Sequence, residues 1–238
     1  METFDNIELL QILRYFTHNT TFEQNLVHYI SSSFVNLYSP VVVLDKLICD
    51  GIRPLNTYKE RLDTLPTDFK RESVLDLGCN TGYMLLDIKK YKNAGRCDGI
   101  DFEKNSVFIA KSIAYYERLL DIEFNIYTIR DIVNEILTNK IIKFDNILCF
   151  GVFEFNQGIE KDVIPDLVKC AKKRIIFEMA NHPCNYKSPD EIKECVKVFE
   201  QFGKVKTTIL KYQNRPVIEI DVSKNEQTEN PTVVSLDD

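Results

Sequence analysis

The sequence predicts an α/β protein with a seven-stranded sheet covered by helices on both faces. From Ser73 onward, short β-rich runs alternate with helical stretches, which is typical of a parallel sheet. The last two predicted strands follow each other without a helix between them, so one of them should run antiparallel. A chain of 238 residues, 44% hydrophobic and 28% charged, can bury the core that such a sheet needs.

The N-terminal 70 residues predict a helical cap. Apolar residues recur there at three- and four-residue spacing, and no clear strand pattern is present. Proline and glycine bound the third predicted helix, and Pro66 ends the fourth. The four predicted helices are Ile7–Leu13, Leu26–Ile30, Val41–Cys49 and Tyr58–Leu65.

Residues 71–222 predict the sheet domain. The expected strands are Val74–Leu77, Cys97–Ile100, Phe124–Ile129, Asn146–Phe150, Arg174–Glu178, Val205–Lys211 and Pro216–Val222. The expected helices between them are Tyr83–Lys90, Ser106–Leu119, Ile132–Leu137, Asp162–Ala171 and Pro189–Phe202. Residues 223–238 are polar and acidic, so we expect a disordered tail.

Charge and composition restrict the function. A net charge of −6 without a long basic run disfavours broad contact with a nucleic-acid backbone. No apolar run reaches about 18 residues and the N-terminus is acidic, so we expect neither a membrane span nor a secretory signal. Seven cysteines without a C-x-x-C pair or a ligand cluster predict reduced thiols, a cytoplasmic location and no metal site.

The stretch V-L-D-L-G-C-N-T-G-Y-M, residues 74–84, places a glycine turn between a strand and a helix. Such turns lie beside the ligand in open α/β sheets. The dinucleotide pattern G-x-G-x-x-G fails, because Asn80 and Tyr83 stand where glycines are required. Asp76 would also repel a pyrophosphate, which favours a cationic ligand. S-adenosylmethionine carries an ammonium, a sulfonium and no phosphate.

Two further acids follow the next two predicted strands. Asp101 lies about 20 residues after the turn, where a carboxylate accepts hydrogen bonds from ribose hydroxyls. Phe102 could then pack against an adenine ring. Asp131 is placed to accept from the adenine amino group, with Ile132 on the ring, but it could equally cap a helix.

These residues resemble the class I S-adenosylmethionine-dependent methyltransferases. The first motif of that family, V-L-D-x-G-C-G-x-G, stands here as V-L-D-L-G-C-N-T-G, and its strand-four motif matches residues 144–153. The resemblance implies a Rossmann-like fold, S-adenosyl-L-methionine as cofactor and S-adenosyl-L-homocysteine as product. The cofactor residues it implies are Asp76, Gly78, Cys79, Asn80, Thr81, Gly82, Asp101, Phe102, Asp131, Ile132 and Phe150.

Two positions depart from the family pattern. Asn80 stands where glycine is usual, although some members of the family also carry asparagine there. Phe155 replaces a histidine that many relatives carry. A hydroxyl acceptor needs a base. Glu154 and His182 follow the fourth and fifth predicted strands and are the catalytic candidates, although His182 could be an ordinary loop residue.

The acceptor is expected to be a small molecule. The D/N-P-P-Y/F sequence of amino-methylating DNA enzymes is missing after the fourth strand. Tyr58, Lys59 and Arg61 could contact an anionic acceptor, or could form a solvated helix face.

We therefore expect O-methylation of a sugar, a phosphate or a surface-glycan precursor, in polysaccharide biosynthesis. The alternatives are a tRNA- or RNA-modifying methyltransferase and a regulator that binds the cofactor without catalysis. A homodimer is compatible with the sequence.

Overall fold

The computed structural model describes residues 21–33, 35, 37–152, 163–178, 193, 196–197, 199–212 and 215–223. The described helices are α1 (Phe22–Ser32), α2 (Leu55–Thr64), α3 (Tyr83–Tyr91), α4 (Lys104–Tyr116), α5 (Ile129–Leu137) and α6 (Ile164–Cys170). The described strands are β1 (Val41–Val43), β2 (Lys46–Cys49), β3 (Val74–Leu77), β4 (Cys97–Asp101), β5 (Ile122–Ile126), β6 (Phe144–Phe150), β7 (Ala171–Glu178), β8 (Lys204–Ile209) and β9 (Pro216–Asp221).

Seven strands form one mixed sheet, in the order β5-β4-β3-β6-β7-β9-β8. The first five strands in this order, β5, β4, β3, β6 and β7, are parallel, whereas β9 runs antiparallel to both β7 and β8. This confirms the predicted α/β class and the antiparallel strand at the end of the chain. The strand order reverses between β3 and β6, which is the point where open α/β sheets bind ligands.

Helices bury both faces of the sheet. Because successive side chains of a strand point to opposite faces, the central strands β3, β6 and β7 contribute to both cores. Val74, Leu148 and Ile176 pack into a core with helices α1 to α4. Leu75, Ile147, Cys149, Ile175 and Phe177 pack into a second core with α5 and α6.

The same alternation directs polar side chains at the strand ends. Asp76 lies two residues after Val74 in β3, and Glu178 lies two residues after Ile176 in β7. Both carboxylates therefore face the α2 side of the sheet.

The predicted helix over Val41–Cys49 is wrong, because this stretch forms the antiparallel hairpin β1–β2. Its two-residue turn holds Leu44 and Asp45 at positive φ, as a tight hairpin turn requires. The run of three valines favours a strand, and Val41 and Val43 are buried. Leucine is a poor residue for a positive φ, so the turn gave a weak sequence signal.

Other predicted elements agree in kind with shifts of a few residues at their ends. The prediction for Leu26–Ile30 falls inside α1, and the one for Tyr58–Leu65 overlaps α2. The prediction for Ile7–Leu13, half of Pro189–Phe202 and the tail beyond Ser223 lie outside the described residues. Within the described part of the chain, no helix is long and apolar enough to cross a membrane.

Candidate active site

The glycine turn after β3 adopts the backbone geometry that its residues predict. Gly78, Asn80 and Gly82 all have positive φ, between 48° and 78°. Asparagine tolerates this conformation better than other residues with a side chain, which explains why Asn80 can replace glycine. A Cβ on Gly82 would come within 2.8 Å of the Phe124 ring, so glycine is required there for packing as well as for conformation.

A cleft of about 440 Å³ opens beside this turn, at the carboxyl ends of β3 and β4. Three residues of the predicted cofactor set line it: Gly78, Asp101 and Phe102. Thr128, Ile129 and Val152 line it from the turns after β5 and β6. Phe102 is 78% exposed beside the cleft, so a flat aromatic surface is available to a ligand.

Asp101 is held in place by the backbone of the two neighbouring turns. One carboxylate oxygen accepts from the Asn80 N–H at 2.8 Å and the other from the Glu103 N–H at 2.9 Å. Burial raises the pKa of Asp101, and these two N–H donors oppose that rise. A carboxylate has about four lone-pair sites, so this one can accept further hydrogen bonds from the cleft.

Asp76 is only 3% exposed at the centre of the sheet. Among the described residues, none donates a hydrogen bond to its carboxylate. Burial raises the pKa of Asp76 to about 7, with Arg61 opposing and Asp101 reinforcing the rise. A buried carboxylate without a donor is costly, and a cationic ligand group would provide the missing partner.

The remaining cofactor candidates have other surroundings. Phe150 and Ile132 are buried in the cores rather than in the cleft lining. Asp131 accepts from the hydroxyl of Thr128, the N-cap of α5, and its own N–H donates back to that hydroxyl. Asp131 is therefore the third residue of the helix and not its cap. The adenine contacts of Asp131 and Ile132, and the cofactor contact of Phe150, stay predictions.

Asn80 and Thr81 attach the N-terminal segment to the glycine turn. The Asn80 side-chain oxygen accepts from the Ser39 N–H at 3.1 Å and from the Ser39 hydroxyl at 2.9 Å. Thr81 N–H donates to the same hydroxyl, and Asn80 Nδ2 donates to Ser106. Sequence reasoning missed Ser39, because it lies 41 residues from Asn80 along the chain. Buried Cys79 completes the turn, and burial raises its pKa well above the usual value.

The substrate candidates on α2 separate into buried and exposed residues. Arg61 is 1% exposed and forms an ion pair with Glu178, which is fully buried. Arg215 Nη1 contacts the other oxygen of Glu178 at 2.9 Å. Tyr58 is buried against Arg61, whereas Lys59 lines a separate cleft beside α3. The expected solvated helix face therefore does not apply to Tyr58 and Arg61.

The two catalytic candidates, Glu154 and His182, lie outside the described residues, as does Phe155. Their roles stay predictions.

Comparisons with known proteins agree with this geometry. A family model described as a methyltransferase domain matches residues 68–225. Two crystal structures of WbdD, one described as a bifunctional kinase-methyltransferase, superpose with TM-scores of 0.60 and 0.61 at 20% identity. Both matches cover 83% of this chain, but only 46% and 47% of the WbdD chain.

A sequence relative is MJ0284, an uncharacterized protein of Methanocaldococcus jannaschii. It is 38% identical over 75 residues, which cover 31% of this chain and 33% of the relative. The chain thus spans about a third of this curated relative and less than half of WbdD. At 20% identity, the likeness to WbdD concerns the fold alone.

Proposed function

Because this chain belongs to the class I S-adenosylmethionine-dependent methyltransferases, we propose that it methylates an oxygen of a small molecule. The acceptor class that we propose is a sugar, a phosphate or a surface-glycan precursor. The net charge of −6 supports a small acceptor, since broad contact with a nucleic-acid backbone would require a basic surface.

The observation that carries the cofactor assignment is the buried, unpartnered carboxylate of Asp76. A ligand ammonium there would provide both a charge and the donors that the described residues do not. Asp101 retains acceptor capacity for a ribose, and Phe102 offers an exposed ring beside the same cleft. The residues present therefore fit S-adenosylmethionine.

When bound, the cofactor supplies a methyl group that its sulfonium already activates. The chain has to align the acceptor and exclude water. A neutral hydroxyl acceptor also needs a residue that takes its proton, and we assign this role to Glu154 or His182. An acceptor oxygen that is already anionic needs no such residue.

Methyl transfer from labelled S-adenosylmethionine tests the proposal. The protein is incubated with a small-metabolite extract and, separately, with total tRNA, and S-adenosylhomocysteine is measured in both. We expect label in the small-molecule fraction, and the Asp101→Ala variant should lower it. Label in the tRNA would assign the protein to RNA modification instead. Cofactor binding without any S-adenosylhomocysteine would indicate a regulator.

A further inference from the structure

Arg53 lies over the carboxyl end of β6, next to the point where the strand order reverses. Gly151 directly follows β6 and has a φ of +68°. A Cβ built on Gly151 would come within 2.7 Å of Arg53 Nη1 and 3.0 Å of Nη2. In this position the guanidinium group packs against the Gly151 backbone, at the edge of the sheet where ligands bind.

Two tyrosines lie near this guanidinium group. It lies 5.9 Å from the centroid of the Tyr38 ring, and the Arg53 N–H donates to the Tyr38 carbonyl at 3.2 Å. Its positive charge also acts on the Tyr58 phenol and lowers the pKa of that group, against the larger rise that burial causes. Burial raises the pKa of Tyr58, so this phenol stays neutral and does not compensate the arginine charge.

Arg53 differs from Arg61 and Arg215 in having no anionic partner among the described residues. Arg61 and Arg215 share the carboxylate of Glu178. Among the described residues, no carboxylate lies within 4.0 Å of Arg53. Its side chain is only partly buried, so part of the guanidinium fork remains available to a ligand.

We propose that Arg53 binds an oxyanion, a phosphate or carboxylate group, on the methyl acceptor. A guanidinium fork matches such a group with two parallel hydrogen bonds. The contact would fix the orientation of the acceptor over the carboxyl end of β6. This inference rests on the proposed function and specifies its substrate: the acceptor carries a negative charge, and Arg53 rather than Arg61 or Lys59 selects for it.

Anion binding in the presence of S-adenosylhomocysteine tests the inference. The probes are inorganic phosphate, followed by phosphorus NMR line broadening, and acetate, followed by carbon NMR. We expect the wild-type protein to bind at least one probe, and the probe that binds identifies the group. The Arg53→Gln variant should bind it roughly 10- to 100-fold more weakly, since hydrogen bonds to a charged group are lost.

Lys46→Gln is the matched control, because it removes the same charge from an exposed position on β2 of the same segment. It should bind the probe as the wild type does. Arg53→Lys keeps the charge but loses the fork, so its affinity should lie between those of wild type and Arg53→Gln. Circular dichroism establishes that each variant is folded. If Arg53→Gln does not fold, the anion affinity of Arg53→Lys decides the test.

Equal anion binding by wild type and Arg53→Gln would overturn the inference, as would a wild type that binds neither probe. Calorimetry with S-adenosylhomocysteine alone separates this result from a failure of the proposed function. Loss of cofactor binding in the wild type would contradict the methyltransferase site, whereas intact cofactor binding without anion binding would contradict only the role of Arg53.

Discussion

The two halves of the sheet's carboxyl edge carry opposite charges. The carboxyl-terminal parts of β3 and β4 hold the buried carboxylates Asp76 and Asp101, and the described structure provides no ion pair for either. The region between α2 and β7 holds buried arginines, and Glu178 pairs with two of them. The first half leaves anions available to a cationic cofactor, whereas in the second half Arg61 and Arg215 already pair with Glu178.

This difference shows that buried charges of the two halves serve different purposes. The carboxylates near the glycine turn are positioned by backbone geometry and have capacity for a ligand. Arg61 and Glu178 are fully buried and pair with each other, which joins α2 to β7. Of the arginines discussed, only Arg53 resembles the carboxylates in lacking a partner of opposite charge among the described residues.

The largest expected effect concerns the ion pairs of Glu178 between α2 and β7. Glu178→Gln would leave two buried guanidinium groups without their carboxylate. We expect the free energy of unfolding to fall by about 3–5 kcal/mol, measured by urea denaturation. The control is Glu135→Gln, which removes a more exposed pair with Lys140 and should cost less than about 1 kcal/mol. Equal losses would mean that burial adds nothing to the Glu178 pairs.

The pH dependence of cofactor affinity tests the role of the Asp76 carboxylate. Burial raises the pKa of Asp76 to about 7, so its carboxylate is increasingly protonated below that pH. Since only the ionised form attracts an ammonium strongly, affinity for S-adenosylmethionine should rise roughly tenfold or more between about pH 5 and pH 7. Calorimetry at several pH values measures this, and Asp76→Asn should bind weakly with little dependence on pH.

The same group makes a prediction for the ligand-free protein. Because the folded state raises the pKa of Asp76, it binds this proton more tightly than the unfolded state does. The contribution of Asp76 to the free energy of unfolding should therefore fall as the pH rises from 3.8 to about 7. Thermal unfolding across this range should show a smaller decline for Asp76→Asn than for wild type. Parallel pH profiles would contradict the buried position of this carboxylate.

Asp101→Ala tests the other carboxylate of the cofactor half. Loss of a buried charged acceptor should weaken S-adenosylmethionine binding by roughly 1–3 kcal/mol, as measured by calorimetry. Asp98→Ala provides the control, since Asp98 lies on the same strand but pairs with Arg96. An unchanged affinity in Asp101→Ala would show that the cofactor lies elsewhere.

The smallest effect concerns the connection between the N-terminal segment and the glycine turn. Ser39→Ala removes the hydroxyl that joins the N-terminal segment to Asn80 and Thr81, and should lower the free energy of unfolding by about 0.5–1.5 kcal/mol. Ser31→Ala on exposed α1 should change it by less than about 0.5 kcal/mol. Urea denaturation of both variants compares them, and equal values would indicate that other contacts hold the N-terminal segment to the glycine turn.

The sequence by itself determined the parallel part of the sheet and the glycine turn. Strand Val74–Leu77 was predicted with the bounds that the structure has, because a short apolar run followed by a glycine turn is a local pattern. Asp101 was likewise predicted from its spacing, and it does line the cleft. The hairpin at Val41–Cys49 was missed because its turn places a leucine at positive φ, against local preference.

Only the tertiary structure decided which charged side chains pair within the protein and which remain available to a ligand. Arg53, Lys59 and Arg61 lie within one short stretch of sequence, yet their surroundings differ. Arg53 lies over the carboxyl end of β6, Lys59 lines a separate cleft beside α3, and Arg61 pairs with Glu178. The reason is that Glu178 reaches Arg61 from β7 and Gly151 makes room for Arg53 after β6. Burial and ion pairing depend on residues that are remote along the chain, so the local sequence cannot specify them.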